Sequence, residues 1–260
     1  MKKSNTKIGI EYLSICPVCQ AGNSDNKLVF SMYDFDFECK FYSCMNCGVI
    51  YQNPRLLFEN RSALQENSKF YDIDEAALNE EIGKYESIVK IVEQYVSPGI
   101  MLEVGCANGF LLAAAKRRGW RAKGIEPCFK TANFAKNKLG LDIICAPVEE
   151  ASLGNEHFDA VIAWHVLEHL DNPGEVFKKI RSLLNDKGVF AVQVPSFEFM
   201  ECFRQRNELT ALLCRVHVLS FTKKALLYLF QTAGFHVISV SMRQDDMMLT
   251  ILGGKSNNAN

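Results

Sequence analysis

Met101-Leu102-Glu103-Val104-Gly105-Cys106-Ala107-Asn108-Gly109-Phe110 decides the fold. A short apolar run ends in a carboxylate and a glycine turn, then opens into a helix. Gly105 and Gly109 carry no side chain, so a ligand can press close to the backbone amides. The next apolar run, Gly124-Ile125, ends in a second acid, Glu126, placed where a carboxylate can reach ribose hydroxyls. Together these residues describe a nucleoside pocket at the carboxyl ends of two parallel strands.

The spacing argues against a nicotinamide cofactor. A dinucleotide fingerprint needs G-x-G-x-x-G so that pyrophosphate can sit on the helix N-terminus, and here Ala107 replaces the middle glycine. Glu103 would repel pyrophosphate but suits an ammonium group. S-adenosylmethionine carries an ammonium, a sulfonium and a ribose, and has no phosphate. The segment resembles the first motif of class I S-adenosylmethionine-dependent methyltransferases, E/D-x-G-x-G-x-G, with alanine where that family often has glycine. Phe158-Asp159-Ala160-Val161, running into Val166-Leu167-Glu168-His169, is similar to the fourth-strand signature of the same family. His217-Val218-Leu219-Ser220-Phe221-Thr222 and Ala233-Gly234-Phe235 are similar to its late helix and closing turn. These matches span residues 100–235. They imply a doubly wound, mostly parallel seven-stranded α/β sheet of Rossmann-like methyltransferase type.

The rest of the chain fits that expectation. Residues 78–96 carry Ile82, Tyr85, Ile88, Val89, Val92 and Val96 at helical spacing, stopped by Ser97-Pro98-Gly99. Helices are predicted over 110–118, closed by Gly119, and over 129–139, closed by Gly140. A third follows Asp171-Asn172-Pro173 and buries Val176, Phe177, Ile180, Leu183 and Leu184, with Gly188 behind it. Residues 189–194 are nearly all apolar, as in a strand covered on both faces. Residues 235–240 and 247–252 have no helix between them, which predicts an antiparallel hairpin at one edge.

Ahead of this domain stand Cys16-Pro17-Val18-Cys19 and Cys44-Met45-Asn46-Cys47-Gly48. Each CxxC turn sets two thiolates on one side of a tight knuckle, and two knuckles complete a tetrahedral sulfur shell for zinc. A closed shell leaves no position for water, so the expected zinc is structural. Phe35, Phe37, Cys39 and Phe41 alternate with polar residues, which places a hairpin between the knuckles and Cys39 on its inner face rather than in the metal shell. The predicted organisation is a zinc ribbon over 1–60, a linker and leading helix over 61–97, and the methyltransferase domain over 98–260.

Composition bounds the function. The net charge of −1 gives no general attraction to nucleic acid or anionic lipid. Within residues 1–60, Lys2, Lys3, Lys7, Lys27, Lys40 and Arg55 are matched by Glu11, Asp25, Asp34, Asp36, Glu38 and Glu59. No apolar core follows the basic start, and no run approaches membrane-span length, so no membrane association and a cytoplasmic location are expected. Ten cysteines without a secretion signal favour free thiols or metal ligands over disulfides.

Carried over by motif, the resemblance implies that Glu103, Gly105, Ala107 and Gly109 hold the methionine end of S-adenosylmethionine and Glu126 the ribose. Val148 and Glu149, after the third strand, flank adenine. Trp164, His165, Glu168 and His169 follow the fourth strand and lie near the methyl group. If that segment is helical, His165, Glu168 and His169 share one face. His165, His169 and His217 are the candidate bases; alternatively, Glu168-His169 orients a loop. His157 is expected in solvent and His236 in a late strand. Residues 195–215 are the expected substrate wall, where Arg204, Arg206 and Arg215 suit a phosphate-bearing acceptor or form a charged helix face. A ribbon ahead of this fold resembles bacterial sugar methyltransferases, which implies O- or C-methylation of a small molecule such as a nucleotide-linked sugar. The C-methylating group carries a large additional C-terminal domain; none is expected here, which sets O-methylation beside C-methylation. Two other classes are open: an RNA-base methyltransferase whose ribbon grips RNA, and a non-catalytic adapter.

Overall fold

The computed structural model describes residues 9–34, 37–66, 77–199 and 216–256. The expected substrate wall therefore lies outside the described residues from position 200 to 215, including Arg204, Arg206 and Arg215.

Three parallel strands meet at the glycine corner. They are β6 (Ile100–Val104), β7 (Arg121–Ile125) and β9 (Phe158–Trp164), with β8 (Asp142–Ile144) beyond β7. Strand β10 (Leu184–Pro195) pairs parallel to β9. An antiparallel hairpin, β12 (Phe235–Arg243) and β13 (Met248–Lys255), closes the edge against β10. The seven strands run in the order β12-β13-β10-β9-β6-β7-β8. Strands β6, β9 and β10 are buried almost throughout because helices cover both faces, which is why their sequences read as continuous apolar runs.

The helices follow the apolar spacing with two differences. Helices α4 (Phe110–Arg117) and α5 (Phe129–Leu139) end near Gly119 and Gly140 as expected. Helix α6 (Pro173–Leu183) stops one residue before β10, so Gly188 lies inside the strand, at a register shift between Leu184 and Val189. The leading segment is two helices, α2 (Leu78–Lys84) and α3 (Glu86–Glu93), broken at Tyr85. Gly83 weakens the helix there, and the Tyr85 ring packs on Phe110, 6.2 Å between centroids. Helix α7 (Lys223–Thr232) precedes β12, capped by the Thr222 hydroxyl.

The ribbon forms a four-stranded sheet in the order β11-β4-β3-β2, from β2 (Lys27–Asp34), β3 (Phe37–Ser43), β4 (Ile50–Gln52) and β11 (Leu219–Ser220). Its outer strand β11 therefore comes from the distant end of the chain. Cys39 is buried, as the alternation predicted. A second small sheet pairs β1 (Ile10–Glu11) with β5 (Arg55–Leu56), and helix α1 (Phe58–Glu66) follows. The buried ribbon residues Cys16, Cys44, Cys47, Val49 and Tyr51 belong to one apolar cluster with Phe177, Phe221 and Leu229 of the main domain. Among the described residues, no helix is long and apolar enough to cross a membrane.

Candidate functional site

A cavity of about 900 Å³ opens at the carboxyl ends of β6, β7 and β9. The glycine corner forms its floor. Gly105 and Gly109 sit at φ 67° and 77°, and a β-carbon would meet Val166 or Leu141 at 2.6 Å, so both positions require glycine. Ala107 also takes a left-handed φ, 45°, where an L side chain is strained by about 1–2 kcal/mol. Ala107→Gly should therefore stabilise the protein by up to about 1 kcal/mol, after glycine's greater chain entropy is subtracted. A chemical-denaturation midpoint that moves down instead would contradict this account of the corner.

Two carboxylates face this floor. Glu103 is 5% exposed, and its Oε2 is buried with no hydrogen-bond partner. Burial and the field of Glu126 push its carboxyl well above the usual range. Glu126, 7% exposed, accepts from the Ala107 amide at 2.8 Å and the Cys128 amide at 2.9 Å. Burial raises its carboxyl too, opposed by those two amides. A ligand bearing a cation and a diol would satisfy these acids. S-adenosylmethionine carries both, and the orphaned Glu103 oxygen is free of any other partner that its ammonium would have to displace. Val148, Glu149 and Trp164 also line the cavity, as does Tyr85.

His165 and His169 reach the same cavity. The segment is not one helix. His165 sits alone at φ 56°, and only Leu167–His169 form a 3₁₀ turn, so the expected shared helical face is replaced by a bent loop. That bend still brings His165 Nδ1 to 3.4 Å from Glu168 Oε1. Glu168 is 2% exposed and neither oxygen makes a regular hydrogen bond. Burial works to raise its carboxyl, but the contact with His165 and the fields of His169 and His217 hold it below the usual value. His217 stacks edge-on against His169 with centroids 4.7 Å apart, and donor atoms of Glu168, His169 and His217 lie within 4.8 Å of one another. His169 Nδ1 is 2.9 Å from the Val216 carbonyl, so that nitrogen carries the proton and Nε2 is the acceptor.

Burial lowers the His169 imidazole to about 4, outweighing the pull of Glu168. The unfolded chain takes up this proton near pH 6.5, so the group's contribution to stability is intact above pH 6.5. It falls away as pH drops toward about 4. Melting temperatures recorded between pH 7 and 4.5 should fall less steeply for His169→Gln than for the wild type; parallel curves would contradict the buried neutral ring.

The structure leaves His157 and His236 exposed and away from this cavity. It also brings in residues that sequence reading missed: Phe58, Arg61 and Ser62 of α1 line the wall. Their distance along the chain left no local signal.

The four ribbon cysteines gather as predicted. Cys16 and Cys47 sulfurs are 3.7 Å apart, and those of Cys19 and Cys44 3.5 Å. A tetrahedral shell with zinc–sulfur bonds of about 2.3 Å has edges of about 3.8 Å, so one ion fits the set. The Cys16 thiol is lowered to about 5 by its hydrogen bond from Cys47, against the effect of burial.

A doubly wound sheet with an acid-flanked glycine corner and no phosphate cradle defines a class I methyltransferase. A family model described as a methyltransferase domain matches residues 79–240, and the chain belongs to that family of S-adenosylmethionine-dependent enzymes. Among curated relatives, the ubiquinone biosynthesis O-methyltransferase of Rhodopseudomonas palustris (strain HaA2) is 32% identical over 97 residues, covering 35% of this chain and 38% of the relative. The mitochondrial enzyme of that name from Arabidopsis thaliana is 27% identical over 94 residues, 34% of this chain and 29% of the relative. The chain thus aligns with well under half the length of these proteins. Among solved structures, the plantazolicin methyltransferase BpumL in complex with S-adenosylhomocysteine superposes with a TM-score of 0.57 at 14% identity, covering 76% of this chain and 96% of that one. A possible histamine N-methyltransferase from Thermotoga maritima gives 0.53 at 20% identity, over 66% and 89%. These structural likenesses concern the fold.

Proposed function

We propose that the chain transfers a methyl group from S-adenosylmethionine to a hydroxyl of a small molecule with a largely apolar body. The observation that carries this reading is the buried Glu168 carboxylate set among His165, His169 and His217 beside the donor pocket. When bound, S-adenosylmethionine supplies a sulfonium-activated methyl group. Glu103 holds its ammonium and Glu126 its ribose, while Val148 and Glu149 flank the adenine. Trp164 and Tyr85 exclude water from the cavity.

A hydroxyl is a weak nucleophile until its proton is removed. His165 takes that proton, and Glu168, 3.4 Å away, stabilises the imidazolium that forms. His169, held neutral, lines the same cavity and orients the acceptor beside His165. Burial lowers its basicity, which unfits it as the proton acceptor. Glu168→Gln should lower kcat by about 10²–10⁴-fold, the range for lost general-base assistance, with S-adenosylhomocysteine affinity unchanged.

The described wall supports an acceptor with an apolar body. Phe58, Tyr85, Leu170 and Val216 give an apolar surface, and the guanidinium of Arg61 is already engaged by Asp171. The two curated relatives carry O-methyltransferase in their names, which supports an oxygen acceptor. A nucleotide-linked sugar would need cations for its phosphates, and Arg204, Arg206 and Arg215 lie outside the described residues. For an RNA grip the ribbon offers little: β11 pairs with β4, and the cysteine end packs into the main core.

We further propose that the four cysteines hold one structural zinc. The test of the acceptor is transfer of labelled methyl from S-adenosylmethionine by the full chain to a panel of hydroxylated aromatics, nucleotide-linked sugars and RNA. Label on the aromatic hydroxyls supports the reading. Label only on sugars or RNA overturns it.

A further inference from the structure

We infer that the cysteine module assembles the Glu168, His169 and His217 cluster, and that Arg61 is the positioning residue that joins the two. Glu168 and His169 follow β9, whereas His217 lies some fifty positions later, across the segment 200–215. The end of β10 ties to Phe221 through the Ser196–Phe221 bridge and the Phe197 amide; nearer His217 and His169, three sets of contacts from residues 48–61 complete the assembly.

The first fixes His217. The Gln52 amide donates to the Val218 carbonyl at 2.9 Å, and Tyr51 and Ile50 pair with Leu219 and Ser220. The Thr222 hydroxyl donates to the carbonyl of Gly48, the residue after Cys47, at 3.0 Å. The chain leaving His217 is therefore a strand of the ribbon's own sheet. The second fixes His169. Arg61 is 3% exposed and spends its guanidinium on Leu56 O at 3.0 Å, His169 O at 2.7 Å and Asp171 Oδ1 at 2.5 Å. The third braces that clamp: Arg55 bonds Glu11 at 2.8 Å and the same Asp171 oxygen at 2.9 Å. The His169 bond to Val216 O then closes the loop.

Such a clamp acts on geometry. Arg61 meets two backbone carbonyls and one carboxylate with a rigid fork of donors that lysine cannot reproduce. Its loss frees the backbone of His169, while none of its hydrogen bonds goes to Glu103, Glu126 or the glycine corner. The consequence for turnover rests on the reading of the cluster as the acceptor-activating group; the positioning itself does not.

The experiment uses the full chain labelled with ¹⁵N-histidine. In the wild type, His169 should show a fixed Nδ1-protonated ring. In Arg61→Gln, the His169 and His217 ring signals should shift toward tautomer averaging, with S-adenosylhomocysteine still bound. Arg61→Lys should give an intermediate spectrum. With an acceptor found by the panel above, kcat should fall about 10- to 100-fold, the effect of a misplaced catalytic group, at unchanged KM for S-adenosylmethionine. Unchanged ring signals would overturn the proposal, as would loss of S-adenosylhomocysteine binding in step with them. Altered ring signals with normal kcat would keep Arg61 as a positioning residue and refute the cluster's catalytic role instead. Should Arg61→Gln fail to fold, Asp171→Asn perturbs the same bonds more gently and is read by the same spectra and titration.

Discussion

Glu103→Gln is expected to weaken S-adenosylhomocysteine binding about 10- to 100-fold and, at the same time, to raise the melting temperature of the ligand-free protein. Both effects follow from one buried oxygen. A charged hydrogen bond to the ligand's ammonium contributes about 1.5–3 kcal/mol, and each 1.4 kcal/mol is about tenfold in affinity. Without ligand, the same carboxylate is a liability, because its Oε2 has no partner and Glu126 lies nearby. Its folded value is raised well above the usual one. The unfolded chain therefore ionises first, and the wild type loses stability as pH climbs from about 4.3 toward the raised value. Glutamine keeps the shape and removes that penalty. Pairing with an ammonium requires the ionised form, so wild-type binding at a pH below that raised value should also release a proton, detected as a binding heat that changes with the buffer's ionisation enthalpy. Unchanged affinity, or a lower melting temperature, would make Glu103 a structural acid.

Substituting both Cys44 and Cys47 by serine is expected to be the most damaging change to stability. Structural zinc sites in small peptides contribute on the order of 10 kcal/mol. The ribbon's cysteines lie in the same apolar cluster as Phe177 and Phe221, so their loss reaches the main core. For a chain of this size 1 kcal/mol moves the melting temperature by about 2–4 °C, and a loss of several kcal/mol implies a fall of at least about 10 °C. Elemental analysis of the wild type should find about one zinc per chain, as a single tetrahedral site requires. A metal-free wild type that melts at the same temperature with and without chelator would remove zinc from the account.

What could be read in the sequence was what depends on local chemistry. Glu103, Gly105 and Gly109 were legible because a strand, a tight turn and a helix start impose residue types on neighbouring positions. The cysteine knuckles were legible for the same reason, and so were the caps at Gly119 and Gly140. The break at Tyr85 was not, because the apolar spacing continues through it, and Gly83 breaks the helix only together with the packing of Tyr85 on Phe110. The bent loop at His165 hid behind a spacing that also suits a helix. Arg61 gave no signal at all. Its partners His169 and Asp171 lie 108 and 110 positions away, and an arginine in a charged helix reads as solvated until the fold buries it. The wall expected at 195–215, whose arginines suit either a phosphate-bearing acceptor or a charged helix face, lies mostly outside the described residues; α1 and Val216 supply the described part of the wall.

The most direct test of the central claim is a crystal structure of the full chain with S-adenosylhomocysteine. The account predicts the ligand's ammonium on Glu103, its ribose on Glu126, and His165, Glu168 and His169 in the space beyond its sulfur. A ligand bound with its ammonium away from Glu103, or with those residues on the adenine side, would contradict it.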